Sequence, residues 1–188
     1  MVVPDTNPAL QRRLGVFTDV FRRISNVDGA VVELGVRNGA TISLLARLNH
    51  DEGKERAVWG FDAWRENGET SWSPFKPELI MTKTSNQGVP APEKRIQLVK
   101  GWVEDTLPVW VKEEKPVIAL LHIDVGTYKG YKAAMKALWP RMAVGGVVIM
   151  DEYHLDGPRL AVSEYLSKIS PRRWLIIGGF KALIVKKG

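Results

Sequence analysis

Two spacings of apolar residues alternate along the chain. Runs of strand length that are apolar throughout separate segments whose apolar residues recur every third or fourth position, the spacing of an amphipathic helix. Strand-like runs occupy residues 30–34, 57–61, 95–99, 117–123 and 144–150, and helical spacing occupies residues 8–24, a stretch after residue 39, and residues 103–112, 128–139 and 159–169. Because strands buried on both faces of a parallel sheet are continuously apolar, this order predicts parallel strands with helical crossovers.

The carboxyl-terminal end has a different pattern. Residues 173–177 and 180–185 are strand-like and are separated only by two glycines, which predicts an antiparallel hairpin. The whole pattern predicts an α/β fold: a doubly wound, Rossmann-like, seven-stranded sheet, mostly parallel with a C-terminal antiparallel hairpin. Because no repeat or boundary interrupts it, we expect residues 1–188 to form a single domain that begins with a helix within residues 1–27.

One long segment fits neither spacing. Residues 63–92 are rich in Pro, Ser, Thr, Asn and Gly and are predicted to form a long loop. Compact domains seldom carry such a loop unless it is functional or disordered. It contains Trp64, Trp72 and Phe75, which are costly to expose to water. A substrate lid and a surface segment both remain open for it.

Composition narrows the function classes. The chain has no cysteine, which excludes disulfides and thiolate metal sites and fits a reducing cytoplasm. Neither a signal peptide nor an apolar run of membrane-spanning length is visible, so we expect a cytoplasmic protein without a membrane partner. From Arg159 onward, seven basic residues and one acid account for the whole net charge of +6. Without a nucleic-acid module this basic end favours a solvated face over a nucleic-acid partner.

Carboxylates stand where two of the apolar runs end. Asp124 follows residues 117–123, and Asp151 and Glu152 follow residues 144–150. Parallel strands end at the same edge of a sheet, where open α/β sheets bind ligands. Crowded carboxylates require a proton or a cation, so the sequence predicts a site for a hard divalent ion such as Mg²⁺.

A glycine turn follows the first strand-like run. In Glu33-Leu-Gly-Val-Arg-Asn-Gly39, Gly35 permits a positive φ and close approach of a ligand, and Gly39 permits a tight entry into the following helix. The turn lacks the Gly-x-Gly-x-x-Gly pattern of dinucleotide sites. Its acid, Glu33, would repel a phosphate and attract an ammonium group. An ordinary turn without a ligand is the alternative.

Asp62 ends the next strand-like run. An acid at this place can accept hydrogen bonds from both hydroxyls of a ribose, although it can also cap a turn. Together with the glycine turn, Asp62 points to an adenosine-type ligand with a positively charged tail that lacks phosphate. S-adenosylmethionine fits that description better than nicotinamide or flavin cofactors do.

With these motifs, the chain resembles the class I S-adenosylmethionine-dependent methyltransferases. More narrowly, it resembles the macrocin O-methyltransferase family, which methylates sugar hydroxyls on antibiotics. The resemblance extends from residue 30 to the carboxyl terminus. It is carried by Val-Glu-Leu-Gly-Val-Arg-Asn-Gly from Val32, Gly-Phe-Asp from Gly60, Gly-Trp-Val-Glu-Asp-Thr-Leu-Pro from Gly101, His-Ile-Asp-Val from His122 and Gly-Gly-Val-Val-Ile-Met-Asp-Glu-Tyr from Gly145.

The resemblance implies which residues bind the cofactor. The turn would surround the methionine moiety, Asp62 would hold the ribose, and Trp102 would lie near adenine unless it is a core indole. The full implied set is Glu33, Gly35, Val36, Arg37, Gly39, Thr41, Asp62, Ala63, Trp102 and Asp124.

The resemblance also implies the metal ligands and exposes a missing base. Asp124, Asp151 and Glu152 match the family's magnesium ligands, with Glu152 in place of the more usual aspartate. Family members commonly carry Asp-x-Asp where this chain has Asp124-Val125-Gly126, so the proposed general base is absent. Either metal coordination at Asp124 alone acidifies the substrate hydroxyl, or another group takes the proton, with His154 the first candidate. His122 is expected to pack in or beside its strand.

The sequence therefore predicts a Mg²⁺-assisted O-methyltransferase that uses S-adenosylmethionine to methylate a hydroxyl of a small molecule of sugar or natural-product type. A metal-independent methyltransferase of another small molecule is one alternative. A protein that binds S-adenosylmethionine without transferring its methyl group is the other, and a nucleic-acid methyltransferase is weaker than both. Homo-oligomerisation is left open.

Overall fold

Seven strands form one sheet in the computed structural model, which describes residues 8–64, 76–169, 174–177 and 182–188. The strands are β1 (Ala30–Leu34), β2 (Val58–Asp62), β3 (Ile96–Lys100), β4 (Ile118–Ile123), β5 (Met142–Met150), β6 (Trp174–Ile177) and β7 (Ala182–Lys186). Their order is β3-β2-β1-β4-β5-β7-β6. The first five are parallel, and β7 pairs antiparallel with both β5 and β6. The predicted fold class is confirmed.

Helices cover both faces of the sheet. They are α1 (Pro8–Arg23), α2 (Ala40–Asp51), α3 (Pro77–Asn86), α4 (Val103–Glu114), α5 (Tyr128–Leu138) and α6 (Asp156–Leu166). Alternate strand residues point to opposite faces, so Val31 packs with α1 and α2 whereas Val32 packs with α4, α5 and α6. All six residues of β4 are buried as a result. No helix in the described ranges is both long and apolar enough to cross a membrane.

The segment predicted as a long loop contains a helix. Within residues 63–92, α3 begins at Pro77, and its buried residues Ile80 and Thr84 face α2. Only two buried side chains in ten residues give no sustained apolar period, which is why the pattern was missed. Trp64 is buried, whereas Trp72 and Phe75 lie outside the described residues. The glycines of the predicted hairpin turn lie outside them too.

Most other boundaries differ from the sequence expectations by one or two residues, which is the usual uncertainty of helix and strand ends. The largest difference is in α6, which begins at Asp156 and ends at Leu166, three residues earlier at each end than the pattern indicated. The helix expected within residues 1–27 is α1.

Candidate active site

The carboxyl ends of the parallel strands form a continuous row. The strand order reverses between β1 and β4, and ligands of open α/β sheets bind in the crevice at such a switch point. Backbone hydrogen bonds join the ends: the amide of Asp124 donates to the carbonyl of Leu34 over 2.8 Å, and the amide of Asp151 donates to the carbonyl of Ile123 over 3.0 Å. The sheet itself therefore places Asp124 and Asp151 side by side next to the turn after β1.

The two glycines of that turn are required by the protein's own packing. Gly35 has a φ of 91°, and a Cβ atom there would lie 1.9 Å from the carbonyl oxygen of Asp124. Gly39 has a φ of 79°, and a Cβ there would lie 2.7 Å from the side chain of Ile80 in α3. The expected positive φ is present at both glycines, and the absence of a side chain at Gly35 also allows the ends of β1 and β4 to approach closely.

Asp62 organises the turn from the end of β2. Its Oδ2 accepts a hydrogen bond from the backbone amide of Arg37 over 2.7 Å, and its Oδ1 accepts one from the amide of Trp64 over 2.9 Å. The indole of Trp64 donates in turn to the carbonyl of Arg37 over 2.9 Å. Asp62 thus caps two backbone segments, as the sequence alternative stated, and each of its oxygens keeps a second lone pair.

An exposed indole stands beside Asp62. The amide of Gly101 donates to the carbonyl of Asp62 over 2.9 Å, and the next residue, Trp102, precedes α4 with 46% of its surface exposed. The alternative that Trp102 is a core indole is wrong. An acid and an aromatic face on neighbouring strand ends suit a nucleoside, so these residues fit an adenosine cofactor. Val36 and Thr41, by contrast, are buried, and Ala63 is half-buried.

A second group of polar side chains lies at the ends of β4 and β5. His122, Asp124 and Asp151 each offer one metal-ligating atom, and these atoms lie within 4.8 Å of one another. Arg13 reaches over from α1, and its Nη2 lies 2.8 Å from Oδ2 of Asp151 and 3.7 Å from Oδ2 of Asp124. With Glu33, which contacts His122, these side chains form what we call the edge cluster.

His122 is fully buried between two carboxylates. Its Nδ1 lies 3.0 Å from Oε1 of Glu33, its Nε2 lies 3.1 Å from Oδ1 of Asp151, and the ring of Phe17 meets it edge-on. Burial alone would lower the pKa of His122, but the hydrogen bonds to Asp151 and Glu33 outweigh burial and raise that pKa to about 9. At neutral pH, without a metal, the ring is an imidazolium that donates to both acids.

Glu33 lies beneath the crevice floor rather than in it. It is 1% exposed, and its Oε2 is buried without a hydrogen-bond partner in the described part of the protein. Burial raises the pKa of Glu33 above its usual range, and the hydrogen bond with His122 opposes that shift. The described neighbour of its Oε1 is the imidazole of His122.

Glu152 is not part of the group formed by the three close ligand atoms. Its carboxylate accepts a hydrogen bond from the amide of Gly126, and Oε1 lies 3.2 Å from where a Cβ of Gly126 would be. Burial raises the pKa of Glu152, and the Gly126 hydrogen bond opposes this. His154 is exposed on the turn after β5 and is not part of the edge cluster.

Sequence reasoning missed Arg13 and the role of His122. Arg13 lies four residues before Phe17, and the spacing continues through Val20 and Ile24, so Arg13 belongs to the buried stripe of α1. A cation on an apolar stripe was therefore the detectable sign. The pairing of His122 with Glu33 depends on strand register, which no local pattern specifies.

The sheet, its crossovers and the crevice define a class I, Rossmann-like methyltransferase fold. Residues 32–153 match the sequence profile of a family described as methyltransferase domain, and this stretch runs from β1 to the turn after β5. The chain belongs to that methyltransferase-domain family. The matched region contains the glycine turn, Asp62, Asp124 and Asp151.

Two curated relatives are natural-product enzymes. The demethyldecarbamoylnovobiocin O-methyltransferase of Streptomyces niveus is 29% identical over 163 residues, which cover 77% of this chain and 60% of the relative. The mycinamicin III 3''-O-methyltransferase of Micromonospora griseorubida is 27% identical over 158 residues, covering 74% of this chain and 61% of the relative. The matches thus span about three fifths of the length of these relatives.

Solved structures share the fold. An apo TDP-rhamnose 3'-O-methyltransferase of calicheamicin biosynthesis superposes with a TM-score of 0.79 at 21% identity, covering 97% of this chain and 82% of that one. The O-methyltransferase NovP superposes with a TM-score of 0.78 at 22% identity, covering 94% and 80%.

Proposed function

We propose that the chain is an S-adenosylmethionine-dependent O-methyltransferase that acts on a hydroxyl of a sugar or natural-product type small molecule with the help of a divalent cation, for which Mg²⁺ is the first candidate. One observation carries the proposal. A nucleoside-type pair, Asp62 and Trp102, stands at one end of a row of strand ends, and a pair of acids, Asp124 and Asp151, stands at the other.

The cofactor would lie along the β1–β3 end of the crevice. Asp62 would accept the ribose hydroxyls with its remaining lone pairs, and Trp102 would cover adenine. The turn from Gly35 to Gly39 would hold the methionine moiety. Glu33, the acid expected to attract the cofactor's positive charge, is enclosed, whereas Asp124, which also belongs to the implied cofactor set, has a side chain that is 23% exposed. Asp124 is therefore the better partner for an ammonium group.

The bound cofactor supplies an activated methyl group, so the protein's task is to place and deprotonate the acceptor. Holding the acceptor oxygen in line with the methyl carbon removes much of the entropic barrier. Asp124 and Asp151 would hold the cation, whose chemistry is to acidify a hydroxyl that binds it and to fix the direction of that hydroxyl. Their donor set, two carboxylates at one sheet edge, fits a divalent ion.

The acceptor class is proposed from the relatives. Besides the two antibiotic enzymes, a relative from Streptomyces olivaceus is named for 4'-O-methylation of a dimethoxyrhamnosyl tetracenomycin. A mycinamycin-pathway methyltransferase, which superposes with a TM-score of 0.61 at 15% identity, was solved with Mg, SAH and mycinamycin VI. These proteins act on glycosylated natural products, which supports a sugar hydroxyl as the acceptor here.

Two groups are candidates for the base. His154 is the one proposed from sequence, on the exposed turn after β5. Glu152 is favoured by a specific observation: its carboxylate fills the space over Gly126, where related enzymes carry an acidic side chain, and burial raises its pKa toward neutrality. His154→Gln and Glu152→Gln distinguish the two candidates. The rate of methyl transfer falls at low pH because the base becomes protonated, and only the variant that lacks the true base should lose this dependence of the rate on pH.

The test separates cofactor binding, transfer and metal use. Calorimetry with S-adenosylhomocysteine measures cofactor binding, and transfer of a labelled methyl group is followed across deoxysugar glycosides, macrolide glycosides and phenols, with EDTA or increasing Mg²⁺. We expect binding, transfer to a glycoside and dependence on the metal. Asp124→Ala and Asp151→Ala should abolish metal-dependent turnover while cofactor binding stays measurable.

Two outcomes would replace the proposal. Transfer that survives EDTA unchanged would make the protein a metal-independent methyltransferase. Cofactor binding without transfer to any acceptor of the panel would favour a protein that binds S-adenosylmethionine without catalysis.

A further inference from the structure

The imidazole of His122 has the surroundings of a metal ligand. Its Nε2 belongs to the same group of ligand atoms as the carboxylates of Asp124 and Asp151, all within 4.8 Å of one another. Three atoms bound to one ion at about 2.1 Å lie roughly 3.0–4.2 Å from one another, so side-chain shifts of about an ångström would bring all three onto one ion.

The other ring nitrogen already has the partner that such a ligand requires. Metal-binding histidines almost always donate the second ring N–H to a carboxylate or carbonyl, which fixes the tautomer and the direction of the ring. Nδ1 of His122 lies 3.0 Å from Oε1 of Glu33, a residue enclosed within the sheet. The second oxygen of Glu33 is buried without a hydrogen-bond partner among the described residues.

The third carboxylate proposed from sequence is placed differently. Glu152 directs its oxygens to the amide of Gly126, and it is absent from the group of close ligand atoms. An imidazole nitrogen is thus available where a third oxygen was expected.

We propose that Nε2 of His122, together with the carboxylates of Asp124 and Asp151, forms the metal site of this chain, with Glu33 orienting the imidazole and Glu152 outside the ligand set. The inference rests on the proposed function for the use of the ion, but it concerns binding alone. It assigns a nitrogen–oxygen site in place of an all-oxygen one.

The ligand set predicts the preferred ion. Carboxylate and water ligands suit Mg²⁺, whereas an imidazole adds affinity for first-row transition ions such as Mn²⁺, Co²⁺ and Zn²⁺. The site should therefore bind Co²⁺ at least about 10-fold more tightly than Mg²⁺. Glu33→Gln should weaken Mn²⁺ binding about 10-fold, because the ring loses its anionic orienting partner.

Electron spin-echo envelope modulation spectroscopy of the Mn²⁺-loaded full chain tests the inference without an acceptor substrate. A directly bound imidazole nitrogen modulates the Mn²⁺ echo, and isotopic labelling of histidine shifts the modulation. The chain has three histidines, so His50→Asn and His154→Asn serve as matched variants that do not disturb the core. We expect the nitrogen signal in the wild type, in both of these variants and in Glu152→Gln, and its loss in His122→Gln.

Each contrary result overturns the inference. Absence of nitrogen modulation in the wild type would show an all-oxygen site or no site, and loss of the signal in His50→Asn or His154→Asn would assign another ligand. If His122→Gln does not fold, the wild type and the two surface variants still decide. A nitrogen signal combined with transfer that survives EDTA would refute only the metal step of the proposed function.

Discussion

Two buried groups of charged side chains lie at opposite ends of α1, and they are built differently. At its carboxyl end, Arg56 has a side chain that is 4% exposed and donates to Glu52 and to the backbone carbonyls of Ile24 and Val27, over 2.8 Å and 3.1 Å for the carbonyls. Nearer its amino end, Arg13 belongs to the edge cluster and pairs with two carboxylate side chains, those of Asp124 and Asp151.

The difference separates a structural contact from a functional one. We call Arg56, Glu52 and the carbonyls of Ile24 and Val27 the Arg56 group. Backbone carbonyls are fixed by the fold and do not change charge, so this group holds α1 to the chain entering β2. The edge cluster has three carboxylates against one arginine and one histidine. Such a group can exchange one cation for another, as a metal site requires.

The largest effect is expected at the edge cluster. Asp151→Asn keeps the shape of the side chain but is a poor metal ligand, so methyl transfer should fall about 100-fold or more. Binding of S-adenosylhomocysteine should change little, because Asp62 and Trp102, which are proposed to hold its nucleoside, lie at the other end of the row of strand ends. Asp156→Asn, on the exposed first turn of α6, is the control that should retain both methyl transfer and binding of S-adenosylhomocysteine. Equal activity of the two variants would remove Asp151 from the reaction.

The next largest effect is expected at the Arg56 group, and it concerns the free energy of unfolding rather than methyl transfer. Arg56→Ala leaves the half-buried Glu52 without its cation and the carbonyls of Ile24 and Val27 without their donor, and breaking such a group costs about 3–5 kcal/mol of the free energy of unfolding. Arg22→Ala removes an exposed pair with Asp19 and should cost less than about 1 kcal/mol. Urea titrations followed by circular dichroism measure both. If Arg56→Ala lowers the free energy of unfolding no more than Arg22→Ala does, the Arg56 group is not a major contributor to stability.

A pH effect on stability should come from His122 in the metal-free protein. Its pKa is about 9 in the folded state and near 6.5 in the unfolded chain, so its contribution is complete below pH 6.5 and is lost as the pH rises through 9. The stability difference between the wild type and His122→Gln, measured by urea unfolding in EDTA, should therefore be larger at pH 6 than at pH 9.5. A difference independent of pH would mean that His122 is neutral throughout.

The smallest effect is expected at Arg13. Its guanidinium neutralises Asp124 and Asp151, so it competes with an incoming ion, and Arg13→Gln should tighten Mn²⁺ binding by about 3- to 10-fold. Arg22→Gln on the same helix should leave the affinity unchanged. Weaker binding in Arg13→Gln would show that the guanidinium supports the ion instead of opposing it.

The sheet and the row of strand ends follow from local sequence, because an apolar run that stops at a carboxylate marks both a buried strand and its exposed tip. Asp62, Asp124 and Asp151 were placed on that basis. The segment around α3 was not, since Ile80 and Thr84 are too few to establish a helical period. Long-range partners such as Glu33 with His122 depend on the register of β1 against β4, which only the assembled sheet fixes.

The contact between Gly35 and the Asp124 carbonyl links the two halves of the crevice mechanically. Any bulkier residue at Gly35 must push the end of β4 outward, and with it the carboxylate next to Asp151. Exchanging the turn after β1, which is proposed to hold the methionine moiety, for one that lacks a glycine at this position would therefore displace the acidic half of the crevice as well. Under the proposed function, a change of acceptor is more readily accommodated at α1 or beyond β5, where side chains can change without moving the contact between Gly35 and the end of β4.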